Sequence, residues 1–268
     1  MKAVFFDLDD TVLHDDRTVS GFTVRVMREL HDNGVFIIPA SGRARFSMKP
    51  YVDQLACAGA YIACNGAEIW NADNDSLLHQ VLFPAETAVA VAEFAERHGC
   101  YAHVYEGSRF YYNRRCVYAD RYAASAGLDG CFVGKLSDFI HEPRNKILLI
   151  DEESRIAAMY EEACILFSGK ASVTCSKPCY LEFNPPEATK GNALRTVCEI
   201  LGIDPSDTVA FGDSLNDLSM LQAAGTGVIV ENGRPEIKDL LYNICGSNND
   251  DGPARFLYER FLQGEAVL

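Results

Sequence analysis

The chain has 268 residues, of which 48% are hydrophobic and 23% are charged, with a formal net charge of −14 and an isoelectric point of about 4.8. A chain of this length can bury a substantial core, in one large domain or two smaller ones, and this composition excludes general disorder. The negative charge argues against broad electrostatic contact with nucleic acid or anionic membranes. An anionic ligand would therefore need local compensation.

The sequence contains no run of about 18 or more uncharged apolar residues, which is the length that crosses a bilayer as a helix. The amino terminus leads directly into a strand pattern, so we expect a cytosolic protein. Ten cysteines are scattered along the chain without a Cys-x-x-Cys pair. We expect reduced, mostly buried thiols. A zinc site at Cys175 and Cys179 is disfavoured because no second ligand pair is evident.

The amino-terminal part of the chain alternates apolar runs with segments of helical spacing. The pattern predicts strands over 3–6, 35–39 and 61–64, with helices over 19–33 and 47–57 between and after them. This alternation predicts an α/β fold with a Rossmann-like parallel sheet that is covered by helices on both faces.

The middle of the chain differs in character. The spacing predicts helices over 85–98 and 152–162, strands over 146–150 and 172–176, and a hairpin turn at Glu106–Gly107 between aromatic-rich segments. No long linker separates this part from the rest of the chain. We therefore expect an inserted α+β unit whose ends return to the first domain.

The earlier alternation resumes at Lys190. The predicted elements are a helix starting there, a strand over 207–211, a helix containing Leu218 and Leu221, a strand over 227–230, a helix from Pro235 and an amphipathic segment over 256–262. This part is expected to complete the parallel sheet.

Polar groups, from side chains or from the backbone, follow four of the predicted strands. They are Asp7 and Asp9, Ser41 and Gly42, Asn65, and Asp213 and Asp217. Because the carboxyl ends of parallel strands form the ligand crevice, these groups should converge. Lys190 at a helix start adds a cation and backbone N–H donors. Clustered carboxylates repel one another unless a cation or a proton compensates them, so the sequence predicts a site for a metal and a phosphate.

Each of these motifs also has a plainer interpretation. The acids could be turn or helix-cap residues, Ser41 and Asn65 turn residues, and Lys190 a solvated surface lysine. A calcium loop starting at Asp7 is disfavoured because Val12 and Thr18 stand where that loop needs glycine and glutamate. The joint pattern favours the metal and phosphate site.

The motifs resemble a known superfamily. Asp7-x-Asp9-x-Thr11, Ser41-Gly42-Arg43, Lys190-Gly191 and the segment 212–217 stand in the order of the four motifs of the haloacid dehalogenase superfamily. The insertion after Asn65-Gly66-Ala67 resembles that of its Cof-type phosphatases, which carry a type IIB cap. The resemblance covers essentially the whole chain. It implies a catalytic core over 1–82 and 182–268 and an α+β cap over 83–181 that contributes substrate specificity.

The resemblance also implies a role for each site residue. Asp7 is the nucleophile and Asp9 the general acid and base. Mg²⁺ is bound by the Asp7 side chain, the Asp9 backbone carbonyl and Asp213, while Asp217 holds its water shell. Phosphate is bound by Ser41, Gly42, Lys190 and Asn216, with Asn65 as a weaker candidate, and Thr11 and Asn216 also order the loops. Asp10 stands where glycine is common in the superfamily.

We therefore expect a Mg²⁺-dependent phosphoric monoester hydrolase that acts through an aspartyl-phosphate. Its expected substrate is a small phosphorylated metabolite, such as a sugar phosphate, a nucleotide or a phosphorylated cofactor. A phosphomutase resembling phosphomannomutases is the alternative, and a non-catalytic binding module is a third reading. No nucleic-acid or membrane partner is expected, and the oligomeric state is open between a monomer and a weak dimer.

One strand of the middle part offers a candidate for substrate contact. Alternation would place Tyr101, His103 and Tyr105 on one face of a strand. That face either contacts the substrate or packs within the cap.

Overall fold

The structure is a computed structural model that describes residues 1–55, 59–240 and 243–263. It divides into two compact units, of which the first comprises 1–41, 48–79 and 189–268 and the second comprises 42–47 and 80–188. Among the described residues, no helix is both long enough and apolar enough to cross a membrane.

The helices and strands alternate through most of the chain. The amino-terminal elements are β1 (Ala3–Phe6), α1 (Gly21–Asp32), β2 (Phe36–Pro39), α2 (Arg45–Gln54), β3 (Ala60–Ala63), β4 (Glu68–Asn71) and β5 (Leu77–Gln80). The middle elements are α3 (Ala85–Arg97), β6 (Tyr101–Glu106), β7 (Arg109–Tyr112), α4 (Val117–Ala126), β8 (Asp129–Phe132), α5 (Leu136–Phe139), β9 (Ile147–Ile150), α6 (Glu153–Leu166), β10 (Ser172–Thr174) and β11 (Tyr180–Asn184). The last elements are α7 (Lys190–Leu201), β12 (Thr208–Gly212), α8 (Leu218–Ala223), β13 (Thr226–Val230), α9 (Pro235–Lys238), β14 (Ile244–Cys245) and α10 (Gly252–Leu257).

A parallel five-stranded sheet forms the centre of the first unit, in the order β14-β13-β12-β1-β2. Both faces of β1 are buried, because Val4 and Phe6 enter one apolar core while Ala3 and Phe5 enter another. Residues of α1, α2 and α10 line the first core, and residues of α7 and α8 line the second. The predicted parallel sheet with helices on both faces is confirmed.

A smaller sheet has the order β3-β4-β5, and its strands β3 and β4 pair antiparallel. Ala40, just beyond β2, forms a parallel bridge with Ile62 of β3. The sequence predicted β3 but not β4 or β5. The predicted helix 47–57 is observed as α2, which ends at Gln54, and the last two predicted residues, 56 and 57, lie outside the described residues.

The second unit is built on a six-stranded sheet in the order β10-β11-β9-β6-β7-β8. Helices α3 and α6 pack on one face, where Ala102 and Val104 of β6 and Leu149 of β9 enter a common core. The predicted hairpin is present, since β6 and β7 pair on either side of Gly107. The elements α4, α5, β8 and β11 were not predicted.

Strand β11 decides where the second unit ends. It pairs with β9 and β10, so this unit continues to Ala188, whereas the predicted division at 181/182 would cut the strand. The sequence does not predict this strand, because Lys177, Pro178 and Cys179 before it are typical of a loop. Gly42–Ser47 also belongs to the second unit, which the sequence did not indicate.

A glycine allows the closest approach between α7 and α8. A Cβ atom at Gly191 would lie 2.3 Å from the carbonyl oxygen of Ser219, whereas a Cβ at Gly21 in α1 would meet nothing within 4 Å. We predict that Gly191→Ala lowers the free energy of unfolding by about 1–3 kcal/mol, because the two helices must separate. Urea denaturation measures the change. The matched Gly21→Ala variant should be at least as stable as the original protein, and equal stability of the two variants would contradict the prediction.

Candidate active site

Three carboxylates meet at the carboxyl edge of the parallel sheet. Asp7 follows β1, and its backbone N–H donates to the carbonyl oxygen of Phe211 in the neighbouring strand at 3.0 Å. Asp213 follows β12, and Asp217 precedes α8. One carboxylate oxygen from each of Asp7, Asp213 and Asp217 lies within 4.8 Å of the other two. The structure thus brings together acids that are more than two hundred positions apart in the sequence.

A fully buried lysine joins two of these acids. Lys190 is the first residue of α7, and its helix is capped by Thr189, whose side chain accepts a hydrogen bond from the Asn192 backbone. The Lys190 ammonium donates to Asp7 Oδ1 at 2.7 Å and to Asp217 Oδ1 at 2.5 Å. The side chains of both Lys190 and Asp217 are 0% exposed. Lys190 is therefore part of the site and not a surface residue.

The second oxygen of Asp217 organises the turn that carries Asp213. It accepts hydrogen bonds from the backbone N–H groups of Asp213 and Ser214, each at 3.0 Å. Thr11 donates to Asp213 Oδ1 at 3.2 Å. A single buried carboxylate thus anchors both the lysine and the acidic turn, and Thr11 ties that turn to the loop after β1.

A second cluster of polar residues lies at the carboxyl ends of β2 and β3. The backbone N–H of Ser41 donates to Ile62, and its carbonyl oxygen accepts from Asn65 N–H at 3.0 Å. The Asn216 amide donates to Asn65 Oδ1 at 3.1 Å, and Ser214 donates to Asn216 Oδ1 at 2.7 Å. Ser41, Asn65 and Asn216 are therefore linked through one chain of contacts. Gly42, which follows Ser41 directly, belongs to the second unit.

Asp9 has a partner that the sequence did not indicate. Its carboxylate forms an ion pair with Arg17, and Arg17 also approaches Asp10 at 3.8 Å. The carbonyl oxygen of Asp10 accepts a hydrogen bond from the Asn232 side chain at 2.6 Å. Neither Arg17 nor Asn232 lies in a motif or at a recognisable spacing, so only the fold reveals these contacts.

The charges of the cluster are not balanced. Burial raises the pKa of Asp7 well above its usual range, although Lys190 opposes this effect, and burial with repulsion from Asp217 raises the pKa of Asp213 to about 7. Burial alone would lower the pKa of Lys190, but Asp217 and Asp7 raise it, so the lysine stays charged. Three ionised carboxylates and one ammonium would leave a net charge of about −2.

This imbalance fits a divalent cation. The available donors are carboxylate oxygens, which are the ligands that hard cations such as Mg²⁺ prefer. Asp7, Asp213 and Asp217 form a group of described residues that could hold a metal ion. This group lies where the parallel strands end, which is where such sheets bind ligands. The cysteines that the structure describes, including Cys175 and Cys179, are free thiols.

The carboxyl edge of a parallel α/β sheet is where such sheets bind ligands, and the clustered carboxylates and the buried lysine lie at this edge. The sequence pattern of the haloacid dehalogenase-like hydrolase family matches residues 4–257. The chain belongs to this family, and its predicted Cof-type membership and α/β fold are confirmed. The predicted enzyme class, a phosphoric monoester hydrolase of this superfamily, is likewise confirmed.

Three similar proteins illustrate the relationship. The 5-amino-6-(5-phospho-D-ribitylamino)uracil phosphatase YcsE of Bacillus subtilis is 26% identical over 95% of this chain and 94% of its own length. The HMP-PP phosphatase of Cronobacter sakazakii is 29% identical over 87% of this chain and 85% of its own length. The crystal structure of a haloacid dehalogenase-like hydrolase from Bacteroides thetaiotaomicron has a TM-score of 0.88 at 25% identity and covers 97% of this chain and 99% of that one.

The predicted strand face in the second unit is occupied by internal packing. His103 is fully buried, its ring lies 4.2 Å from that of Tyr122, and its Nε2 lies 3.1 Å from the Tyr105 hydroxyl. Tyr101 is also buried. The structure thus favours packing over substrate contact for this face.

Asp10 adopts a backbone conformation that favours glycine. Its φ is 58°, in the left-handed region, which β-branched side chains occupy only with strain. We predict that Asp10→Gly changes the free energy of unfolding by less than about 1 kcal/mol, whereas Asp10→Val lowers it by about 1–2 kcal/mol. Urea denaturation compares the two variants. A valine variant as stable as the glycine variant would show that this conformation is not required.

The raised pKa values of Asp7 and Asp213 predict how pH affects stability without metal. Because the folded protein holds these protons more tightly than the unfolded chain, the free energy of unfolding should fall as pH rises through about 7. Bound Mg²⁺ replaces the protons, so it should raise the melting temperature more above this pH than below it. Thermal unfolding in chelator and in Mg²⁺ measures both effects.

The Asp213→Asn variant is the control for this experiment. It should lose most of the magnesium effect and the part of the pH dependence that Asp213 contributes. An equal effect of Mg²⁺ on both sides of the pKa would contradict the assignment of the cation to this cluster.

Proposed function

We propose that the protein is a Mg²⁺-dependent phosphatase that hydrolyses a small phosphorylated metabolite through a phosphoryl group carried by Asp7. The observation that carries this proposal is the contact of the buried Asp7 carboxylate with Lys190, beside the unbalanced Asp213 and Asp217. A carboxylate in such a place can approach a phosphate dianion only where positive charge surrounds both.

Asp7 is the proposed nucleophile. Its backbone is fixed by the hydrogen bond to Phe211, and its side chain is held by Lys190. Attack by Asp7 on phosphorus splits the displacement of the alcohol into two easier steps. Water then releases inorganic phosphate and restores the carboxylate.

Asp9 is the proposed general acid and base. It is two residues from Asp7 and partly exposed, and it is held by Arg17 in this structure. To protonate the leaving alcohol, the Asp9 side chain has to leave this ion pair and receive a proton. The same carboxylate then removes a proton from the attacking water.

The phosphate oxygens are assigned to Ser41, the Gly42 N–H and Lys190. The Lys190 ammonium can neutralise charge on the phosphate while it stays bound to Asp217. Asn65 and Asn216 hold each other through an amide contact, which supports a role in ordering the Ser41 turn more than direct binding.

The metal is assigned to Asp7, the backbone carbonyl of Asp9 and Asp213. Bound Mg²⁺ would neutralise the phosphate and orient it toward the nucleophile. The contacts of Asp217 with Lys190 and with two backbone N–H groups support a role in positioning Asp213 and the metal's water shell.

The substrate is proposed to be a small phosphorylated metabolite, such as a sugar phosphate, a nucleotide or a phosphorylated cofactor. The names of two relatives support this, since one is a phosphatase of a phosphoribitylamino-uracil and the other of HMP-PP. We propose a cytoplasmic location, which the free thiols of the described cysteines support. The second unit is proposed to act as the cap that selects the leaving group.

We predict that Asp7→Asn lowers kcat by roughly 10⁴-fold or more, because a neutral amide cannot attack phosphorus. Asp9→Asn should lower kcat by about 10²- to 10⁴-fold. Release of phosphate from a panel of phosphorylated metabolites in Mg²⁺ measures both, with circular dichroism to verify folding. Asp10→Asn is the matched control, since it neutralises an exposed acid of the same loop and should retain most activity.

The same assay separates the proposal from its alternative. Phosphate release without any activating bisphosphate supports a phosphatase, and transfer that requires a bisphosphate indicates a phosphomutase. Full activity of folded Asp7→Asn would contradict the assignment of the nucleophile.

A further inference from the structure

The Asp9 carboxylate has only a weak side-chain restraint on its position. It lies in the loop after β1 and pairs with Arg17. The side chains of Arg17 and Asp9 are 39% and 31% exposed, and ion pairs that water can reach restrain their partners weakly. The position of the Asp9 carboxylate therefore depends on how the loop backbone is held.

Two backbone contacts hold the loop on either side of Asp9. Before it, the Asp7 N–H donates to the carbonyl oxygen of Phe211 in β12 at 3.0 Å. After it, the carbonyl oxygen of Asp10 accepts a hydrogen bond from the Asn232 side chain at 2.6 Å. The first contact belongs to the parallel sheet, whereas the second is made by one side chain. The position of the backbone directly after Asp9 thus depends on Asn232.

The Asn232 amide is itself oriented by a buried residue. The backbone N–H of Asn248 donates to Asn232 Oδ1 at 2.9 Å, so each polar end of the amide has a partner. Asn248 is 2% exposed, and its side chain donates to the Leu13 carbonyl oxygen at 3.0 Å. The two asparagines contact each other and hold the loop at two points, Asp10 and Leu13. Asn232 is therefore a fixed support for the loop.

The turn that contains Asn232 also contacts the second acidic loop. This turn follows β13, and the backbone N–H of Arg234 donates to the carbonyl oxygen of Asp213 at 2.8 Å. Thr11 adds a side-chain contact to Asp213 at 3.2 Å. The turn therefore holds the loops of Asp9 and Asp213 at a fixed relative position. All of these residues belong to the first unit.

We propose that Asn232 is a positioning residue for the general acid Asp9. By holding the Asp10 carbonyl, it keeps the adjacent Asp9 carboxylate within reach of the leaving oxygen when the ion pair with Arg17 opens. A displacement of about 1 Å is enough to slow a reaction between positioned groups by roughly 100-fold. This inference rests on the proposed function, which assigns Asp9 as the general acid and base.

The leaving group of the substrate provides the test. An alkoxide leaves readily only when an acid protonates it, whereas 4-nitrophenolate is a stable anion that leaves without a proton. A displaced acid therefore slows the hydrolysis of alkyl phosphomonoesters, such as sugar phosphates, much more than that of 4-nitrophenyl phosphate. The quantity to measure is kcat/KM, because it covers the steps up to departure of the leaving group and not the later attack by water.

At saturating Mg²⁺, Asn232→Ala should lower kcat/KM by roughly 10- to 100-fold for an alkyl phosphomonoester and by less than about threefold for 4-nitrophenyl phosphate. Asn232 is exposed, so the variant is expected to fold, which circular dichroism verifies. The matched control is Asn243→Ala, which removes an amide contact of 3.2 Å with the Gly227 carbonyl oxygen in β13. The control should keep both activities within about twofold of the original.

A second comparison tests whether Asn232 acts through Asp9. In the Asp9→Asn background, Asn232→Ala should change kcat/KM for the alkyl ester by less than about threefold, because the group that it positions is already absent. An equal loss in both backgrounds would overturn the inference, as would an equal loss for both esters or full activity of folded Asn232→Ala. Failure of the original protein to hydrolyse any phosphomonoester would instead refute the proposed function.

Discussion

The site depends on one buried cation, the Lys190 ammonium between Asp7 and Asp217. Without it, two buried carboxylates would face each other at the end of the sheet, and at least one would have to be protonated. Burial raises the pKa of Asp7, and Lys190 offsets this only in part, so the lysine and a bound cation together would keep the proposed nucleophile ionised. The lysine does not balance the charge of Asp213, and the remaining negative charge is what makes the site suitable for a divalent cation.

The sequence achieves this arrangement through close backbone approach. A Cβ at Gly212 would lie 2.4 Å from the Cβ of Asp217, so only glycine at the end of β12 lets the Asp217 side chain reach back toward Lys190. Gly191 has the equivalent function at the start of α7, where its lack of a side chain lets α8 approach. The charged contacts therefore depend on two glycines that take no part in the proposed reaction. A substitution that disturbs packing at either glycine would also disturb the charged contacts.

Much of the parallel sheet and of the candidate site could be predicted from the sequence. The strand before Asp7 is short, apolar and buried on both faces, so the sequence shows where it begins and ends. The acids of the candidate site could then be predicted because they follow directly after such strands. The partner of Asp9 could not be predicted, because Arg17 stands at no recognisable spacing and reaches Asp9 only through the fold. Strand β11 was overlooked because Pro178 and its neighbours suggest a loop, whereas pairing with β9 decides its conformation. Local sequence patterns predicted which residues form the candidate site, and tertiary contacts determine how these residues are positioned.

The claim that connects these observations is that Asp7 accepts the phosphoryl group. The most direct measurement is reductive trapping during turnover in Mg²⁺, in which borohydride converts an aspartyl-phosphate to homoserine and peptide mass spectrometry locates it. We predict homoserine at position 7 only when both substrate and Mg²⁺ are present. Turnover with trapping at another residue, or with unmodified Asp7 under conditions where phosphorylated enzyme accumulates, would contradict it.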